Sequence, residues 1–139
     1  MNPNAYLVKD ILKPEMKATR DGYGEGLVLA GEKNKNVVVL CADLTESTRS
    51  LAFQKKFPER FVELGVAEQN MASVAAGMAL EGKVPFVSSY ATFSPGRNNE
   101  QIRTTIAYNE ANVKIAGAHA GISVGPDGAA RSTPSPAGR

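Results

Sequence analysis

Val37-Val38-Val39-Leu40-Cys41-Ala42 is a continuous apolar run of strand length and β-branched composition. Branching at Cβ favours extended backbone. A strand with one wet face would alternate apolar and polar residues. A run that is apolar at every position suits a parallel strand covered on both faces. The flanking chain agrees with that reading. A polar arm, residues 1–17 with Pro3 and Pro14, leads into a helix from Thr19 to about Asn34. Thr19 can cap it, and Tyr23, Leu27 and Ala30 share one of its faces. Beyond the run, Asp43 and Leu44 open a loop, and a helix from about Thr48 to Phe57 ends before Pro58.

The alternation then repeats. Phe61-Val62-Glu63-Leu64 reads as a second strand, followed by a helix from Ala67 to Leu80 that Gly82 ends. Val84 to Tyr90 is a third strand, with Pro85 near its start where a missing donor is tolerated. A loop through Ser94-Pro95-Gly96 precedes a helix from about Asn98 to Asn109, and Val113 to Ala118 is a fourth strand. Short connections between alternating strands and helices imply right-handed crossovers. The fold expected is α/β, a doubly wound parallel sheet with helices on both faces. Residues 129–139 have no periodicity and little bulk, and we expect them to be disordered and unrelated to the domain.

With 139 residues the chain is of single-domain size. A hydrophobic content of 42% and a charged content of 22% are ordinary for a globular protein. The formal net charge of +2 is too small to argue for nucleic acid or an anionic membrane as partner. No apolar run reaches membrane-spanning length, and the first residues lack the hydrophobic segment of a signal peptide. The single Cys41 cannot form an internal disulfide, so a reducing cytoplasm is expected, with Cys41 serving as a small buried hydrophobe.

In an open parallel sheet, ligands bind outside the carboxyl ends of the strands. Asp43 and Ser47 follow the first strand and Glu68 the second; Tyr90 and Phe93 follow the third, and His119 and Asp127 the fourth. Each has an ordinary explanation. Glu68 could compensate a helix dipole, Asp43 and Asp127 could form turns, His119 could be a loop residue, and the aromatics could be core. Their gathering at one edge points instead to a site. Missing are a Gly-rich phosphate loop, metal-ligand spacing and a nucleophile elbow. If the chain is catalytic, another chain must supply the anchor, which points to a subunit interface.

Together, five motifs resemble the pyrimidine-binding domain of transketolase, within the thiamine diphosphate enzymes. They are Ala18-Thr19-Arg20, Ala42-Asp43-Leu44-Thr45, Gly65-Val66-Ala67-Glu68-Gln69-Asn70, Tyr90-Ala91-Thr92-Phe93 and His119-Ala120-Gly121-Ile122-Ser123-Val124-Gly125-Pro126-Asp127-Gly128. The resemblance covers residues 18–128 as one domain, and the start near the first motif resembles the C-terminal-half subunit of split transketolases. It implies transfer of a two-carbon ketol unit between phosphorylated ketoses and aldoses in the pentose phosphate pathway. The implied cofactors are thiamine diphosphate and Mg2+ or Ca2+, held by an N-terminal diphosphate-binding partner subunit. Self-association at a dimer interface is implied as well.

Residue by residue, the resemblance implies that Glu68 shares a proton with the aminopyrimidine ring nitrogen opposite the amino group. Phe93 would stack on that ring, and Tyr90 matches another aromatic of the pocket. Asp43 matches an acid near the cofactor. Arg20 and Ser47 match positions that hold the sugar phosphate, His119 a substrate-contacting catalytic histidine, and Asp127 the acid that reads a donor hydroxyl. Gly96 falls near a third aromatic of many relatives, so one wall should be more open.

There is one departure. Where the family continues with a Thr-His pair after Gly128, this chain has Ala130 and Arg131. We therefore expect a truncated or frame-disrupted chain, inactive alone. Deoxyxylulose-phosphate synthase, which shares the Glu68, Phe93 and Asp127 motifs, and a non-catalytic pairing domain are the alternative readings.

Overall fold

The computed structural model describes residues 12–14 and 16–121. Expectations for the arm before Leu12, for Asp127 and its turn, and for the tail lie outside the described residues. The first helix, α1, spans Thr19–Lys33, and β1, Val37–Cys41, follows it. Every residue of β1 is buried, as a strand covered on both faces requires. Next come α2 (Leu51–Lys56), a 3-10 turn at Pro58–Arg60 and β2 (Phe61–Glu63). They are followed by α3 (Glu68–Leu80) and β3 (Val84–Tyr90). After a turn at Thr92–Arg97, α4 (Asn99–Gln101) runs into a π-helical stretch, Ile102–Ala107, and β4 spans Lys114–Ala118.

The four strands form one parallel sheet in the order β2-β1-β3-β4. Side chains alternate across a strand, and β1 divides its residues between two cores accordingly. Val37 and Val39 pack with Leu27 of α1 and Phe53 of α2. Val38, Leu40 and Ala42 pack with Met71 and Ala75 of α3 and with Val87. Helices therefore cover both faces, and the expected doubly wound α/β fold is observed. Close approach on the α1 side depends on missing side chains. A Cβ at Gly31 would lie 2.6 Å from the Phe53 ring, and one at Gly24 would lie 2.6 Å from the Arg49 carbonyl oxygen.

Two local expectations are corrected. Thr19 is the first helical residue of α1 rather than its cap; Ala18 holds the N-cap position with no side-chain bond, and Asp21 supplies the acidic first turn. The second helix begins at Leu51 rather than Thr48. Thr48 Oγ1 donates to the Leu44 carbonyl at 2.9 Å and lies 3.0 Å from Ser50 Oγ, while Arg49 turns to φ 64°. Hydroxyls that bond locally compete with helical backbone, and here they win. Thr104 bonds the Glu100 carbonyl at 3.0 Å in the same way along the irregular helix after α4.

The chain runs from β1 outward to β2 and then crosses back to β3 on the other side of β1. This reversal opens a crevice at the carboxyl ends of β1 and β3, where ligands bind in such sheets. Among the described residues, no helix is long and apolar enough to cross a membrane.

Candidate functional site

Glu68 opens α3 immediately after the turn that leaves β2, at the carboxyl edge of the sheet. A carboxylate in the first turn of a helix is favoured by the exposed backbone N–H groups. That effect alone does not require burial, yet Glu68 is only 1% exposed. Burying an unpaired carboxylate costs several kcal/mol, on the order of the stability of a small domain. Arg97 offsets that cost, donating from Nη1 to Glu68 Oε2 at 2.8 Å. The second oxygen, Oε1, is buried with no hydrogen-bond partner among the described residues. Leaving a buried acceptor unpaired costs about 1–3 kcal/mol, and such groups call for an explanation beyond packing.

The loop after β3 brings Arg97 there. Ser94 is extended (φ −141°, ψ 111°) within the turn at Thr92–Arg97, and the Gly96 N–H closes the turn onto the Ala91 carbonyl at 3.0 Å. Fully buried Asn98 then donates from Nδ2 to the Glu68 backbone carbonyl at 3.0 Å and to Ser94 Oγ at 3.1 Å. The loop is thus stitched to the first turn of α3 through both the side chain and the backbone of Glu68.

Aromatic residues form the adjoining wall. Tyr90 and Phe93 lie nearly parallel, at an interplanar angle of 22° with ring centroids 5.9 Å apart. Tyr90 is buried, while Phe93 is partly exposed beside the Arg97 guanidinium, whose carbon lies 4.6 Å from its ring centroid. The His119 ring lies 4.1 Å from the Tyr90 ring. His119 follows β4 at φ 57°, a left-handed conformation unusual for a residue with a side chain. Glu68, Arg97, Phe93, Tyr90 and His119 therefore form a contiguous row along the carboxyl edge.

Beyond His119 a cavity of about 840 Å3 is bounded by the start of α1, by Thr48 and Ser88, and by β4 with the residues that follow it. Arg20, Tyr23, Thr48, Ser88, Gly117 and His119 are among its lining residues. Its polar floor continues inward, with Ser50 Oγ 3.0 Å from both Thr48 Oγ1 and Ser88 Oγ. The Tyr23 hydroxyl is buried next to Ser88 without meeting hydrogen-bond geometry. Burial pushes the Tyr23 phenol up to about 12 from 10.0; Ser88 pulls it weakly down and Cys41 adds a small upward effect.

Of the residues singled out in the sequence, Glu68, Phe93, Tyr90 and His119 come together in one row, and Arg20 lines the same cavity as His119. Thr48 rather than its neighbour Ser47 lines the cavity. Asp43 stands apart, exposed at φ 58°. Its N–H donates to Glu63 Oε1 at 2.8 Å, and the same oxygen accepts from the Gly65 N–H at 2.9 Å. Asp127 is outside the described residues. Arg97, Asn98, Tyr23 and Glu63 were not singled out in the sequence. A lone basic residue in the small-residue loop Ser94-Pro95-Gly96-Arg97 was the available signal, since a buried acid needs a cation. Among the described residues, no group of His, Cys, Asp and Glu could hold a metal ion.

The fold and the acid–aromatic row define an α/β ligand-binding domain with its site at the switch point of a parallel sheet. The sequence matches the family model for the transketolase pyrimidine binding domain over residues 15–136. It is 55% identical over 113 residues to a Methanocaldococcus jannaschii chain named as a transketolase C-terminal section, covering 81% of this chain and 36% of that one. Human transketolase is 42% identical over 112 residues, covering 80% of this chain and 18% of that one. A solved structure titled as a split gene transketolase, inactive beta4 tetramer, is 47% identical at a TM-score of 0.72. That match covers 86% of this chain and 38% of the solved one. This chain belongs to the transketolase pyrimidine-binding domain family. It spans about a third of the length of the archaeal relative and less than a fifth of the human one.

Proposed function

We propose that this chain, through residues 18–128, is the pyrimidine-binding part of a thiamine diphosphate-dependent transketolase. In this reading it moves two-carbon ketol units between phosphorylated ketoses and aldoses, in the cytoplasm and within the pentose phosphate pathway. A separate N-terminal chain holds the diphosphate and its Mg2+ or Ca2+ ion. The observation that carries the reading is Glu68 Oε1, buried and unpartnered beside a partly exposed Phe93. An acceptor next to an open aromatic face fits a flat heterocycle that offers a proton at its edge.

Thiamine diphosphate, when bound, supplies a thiazolium that serves as the electron sink for breaking a carbon–carbon bond next to a carbonyl. The protein's residues do the rest. Glu68 holds or shares a proton at Oε1 with the pyrimidine ring nitrogen. Phe93 stacks on the ring and excludes water, and Tyr90 backs it. Asp43 stands near the cofactor at the chain interface. Arg20 grips the sugar phosphate through its planar guanidinium, with Ser47 nearby. His119 contacts the sugar at the reacting end, and Asp127 reads a donor hydroxyl. The cavity that Arg20 and His119 both line has room for a phosphorylated sugar. The description of the solved relative as an inactive β4 tetramer supports both self-association and the need for a partner.

The test is co-expression with a diphosphate-binding transketolase chain, followed by an assay of ketol transfer from a ketose phosphate to an aldose phosphate. Turnover is expected only with both chains and the cofactor, and Glu68→Ala should abolish it. Ketol transfer that survives in the Glu68→Ala assembly would remove the central claim.

A further inference from the structure

Arg97 touches both groups on which the cofactor reading depends. It bonds Glu68 Oε2 at 2.8 Å, and its guanidinium carbon lies 4.6 Å from the Phe93 ring centroid. The two contacts differ in kind. A glutamate side chain turns about three torsions, and a bond to one of its oxygens removes most of that freedom. The ring contact braces the guanidinium by cation–π attraction, so the arginine is itself held. With Oε2 engaged by Arg97, Oε1 is the oxygen of this carboxylate that has no hydrogen-bond partner among the described residues. Burial argues the same way. The Arg97 side chain is 46% exposed and the Glu68 side chain 1%, so the arginine covers the acid from the solvent side rather than filling core.

We infer that Arg97 is a positioning residue: braced against Phe93, it fixes the Glu68 carboxylate so that the unpartnered Oε1 is presented to a flat nitrogen heterocycle. This deepens the proposed function and rests on its reading of Glu68. A lysine would retain the charge but lacks the planar fork that can bond the carboxylate and lie on a ring together. Arg97 acts through Glu68, and that dependence separates a positioning role from a merely stabilising one.

Calorimetric titration of thiamine diphosphate with Mg2+ into the chain assembled with its diphosphate-binding partner tests this. Wild type, Arg97→Lys, Arg97→Gln, Glu68→Gln and the Arg97→Gln/Glu68→Gln double variant are compared. Arg97→Gln should weaken binding about tenfold or more, since small misplacements of a positioned group carry large penalties. Arg97→Lys should recover only part of that loss. The double variant should bind as Glu68→Gln does, because groups acting through one another are not additive. Wild-type affinity in Arg97→Gln, or losses that simply add in the double variant, overturns the inference. If Arg97→Gln does not fold, wild-type affinity in Arg97→Lys overturns it equally.

Hydrogen exchange on the unliganded chain, over residues 66–71 and 92–98, keeps the two readings apart. Faster exchange there in Arg97→Gln, with no effect of Glu68→Gln on binding, supports the positioning role and sinks the cofactor reading. Unchanged exchange and binding in Arg97→Gln, with binding lost in Glu68→Gln, sinks the positioning role alone.

Discussion

Asn98 Nδ2 donates a 3.0 Å hydrogen bond to the backbone carbonyl of Glu68, across 30 residues of sequence. Both residues are buried, so the bond ties the loop after β3 to the start of α3 where water cannot compete. Asn98→Ala should cost about 1–3 kcal/mol, because it strands the carbonyl's second acceptor site and Ser94 Oγ and leaves a small void. Urea unfolding of the two proteins measures the difference. A loss of only a few tenths would show that the loop holds its position by other means.

Phe93→Ala removes the ring face beside Glu68 and should weaken binding of thiamine diphosphate by about 1 kcal/mol or somewhat more, roughly fivefold. Phe93 is only partly buried, so fold stability should fall less than for a core phenylalanine such as Phe53. Titration of the assembled chains and a melting curve separate the two effects. Unchanged affinity would take Phe93 out of the cofactor site.

One carboxylate, Glu63, accepts from the Asp43 N–H, the Gly65 N–H and Thr45 Oγ1 at 2.8, 2.9 and 2.9 Å. Asp43 and Gly65 are both left-handed, at φ 58° and 65°. A side chain without a hydrogen bond at this point should let both turns loosen, Asp43 the more so because a left-handed residue with a Cβ is held only by its surroundings. In Glu63→Ala the Asp43 and Gly65 amides should exchange about fivefold to tenfold faster, which corresponds to about 1 kcal/mol per lost bond. Glu63→Gln should behave nearly as wild type, because its amide oxygen still accepts both N–H groups. Equal protection in all three proteins would show that the turns hold themselves.

The raised Tyr23 phenol makes stability depend on alkaline pH. In the unfolded chain the phenol ionises near 10, whereas in the fold it keeps its proton until about 12. The folded state therefore binds more protons in that window, and stability falls as pH rises from 10 towards 12. Below pH 10 the contribution is fully present. By pH 11 the loss is about 1 kcal/mol, at no more than about 1.4 kcal/mol per unit. Tyr23→Phe should remove this component, and denaturant unfolding at pH 9 and pH 11 would reveal it. An equal drop in both proteins would assign the alkaline loss to other groups.

How far the sequence could be read differs from element to element. The apolar run at β1 and the strand–helix alternation foretold the sheet, its parallel sense and the helices on both faces, because these follow from local period and composition. Boundaries moved where side chains intervened, as at Thr48 and Ser50, whose hydroxyls delay α2 until Leu51. Glu68, Phe93, Tyr90 and His119 were legible as candidates because each ends or follows a strand. Arg97 and Asn98 were harder to read, since neither lies at a strand end; Arg97 is marked only as the lone basic residue of its loop, and nothing marks Asn98 as a partner of a residue far back in the chain.

The sequence by itself determined which segments extend, which coil, and which edge of the sheet gathers polar groups. Only the tertiary structure decided that the Glu68 carboxylate is buried, that one of its oxygens is held by Arg97, and that the other has no partner among the described residues. The reason is physical. Secondary structure answers to neighbours three or four residues away, but burial and pairing depend on crossovers that bring together residues 29 positions apart.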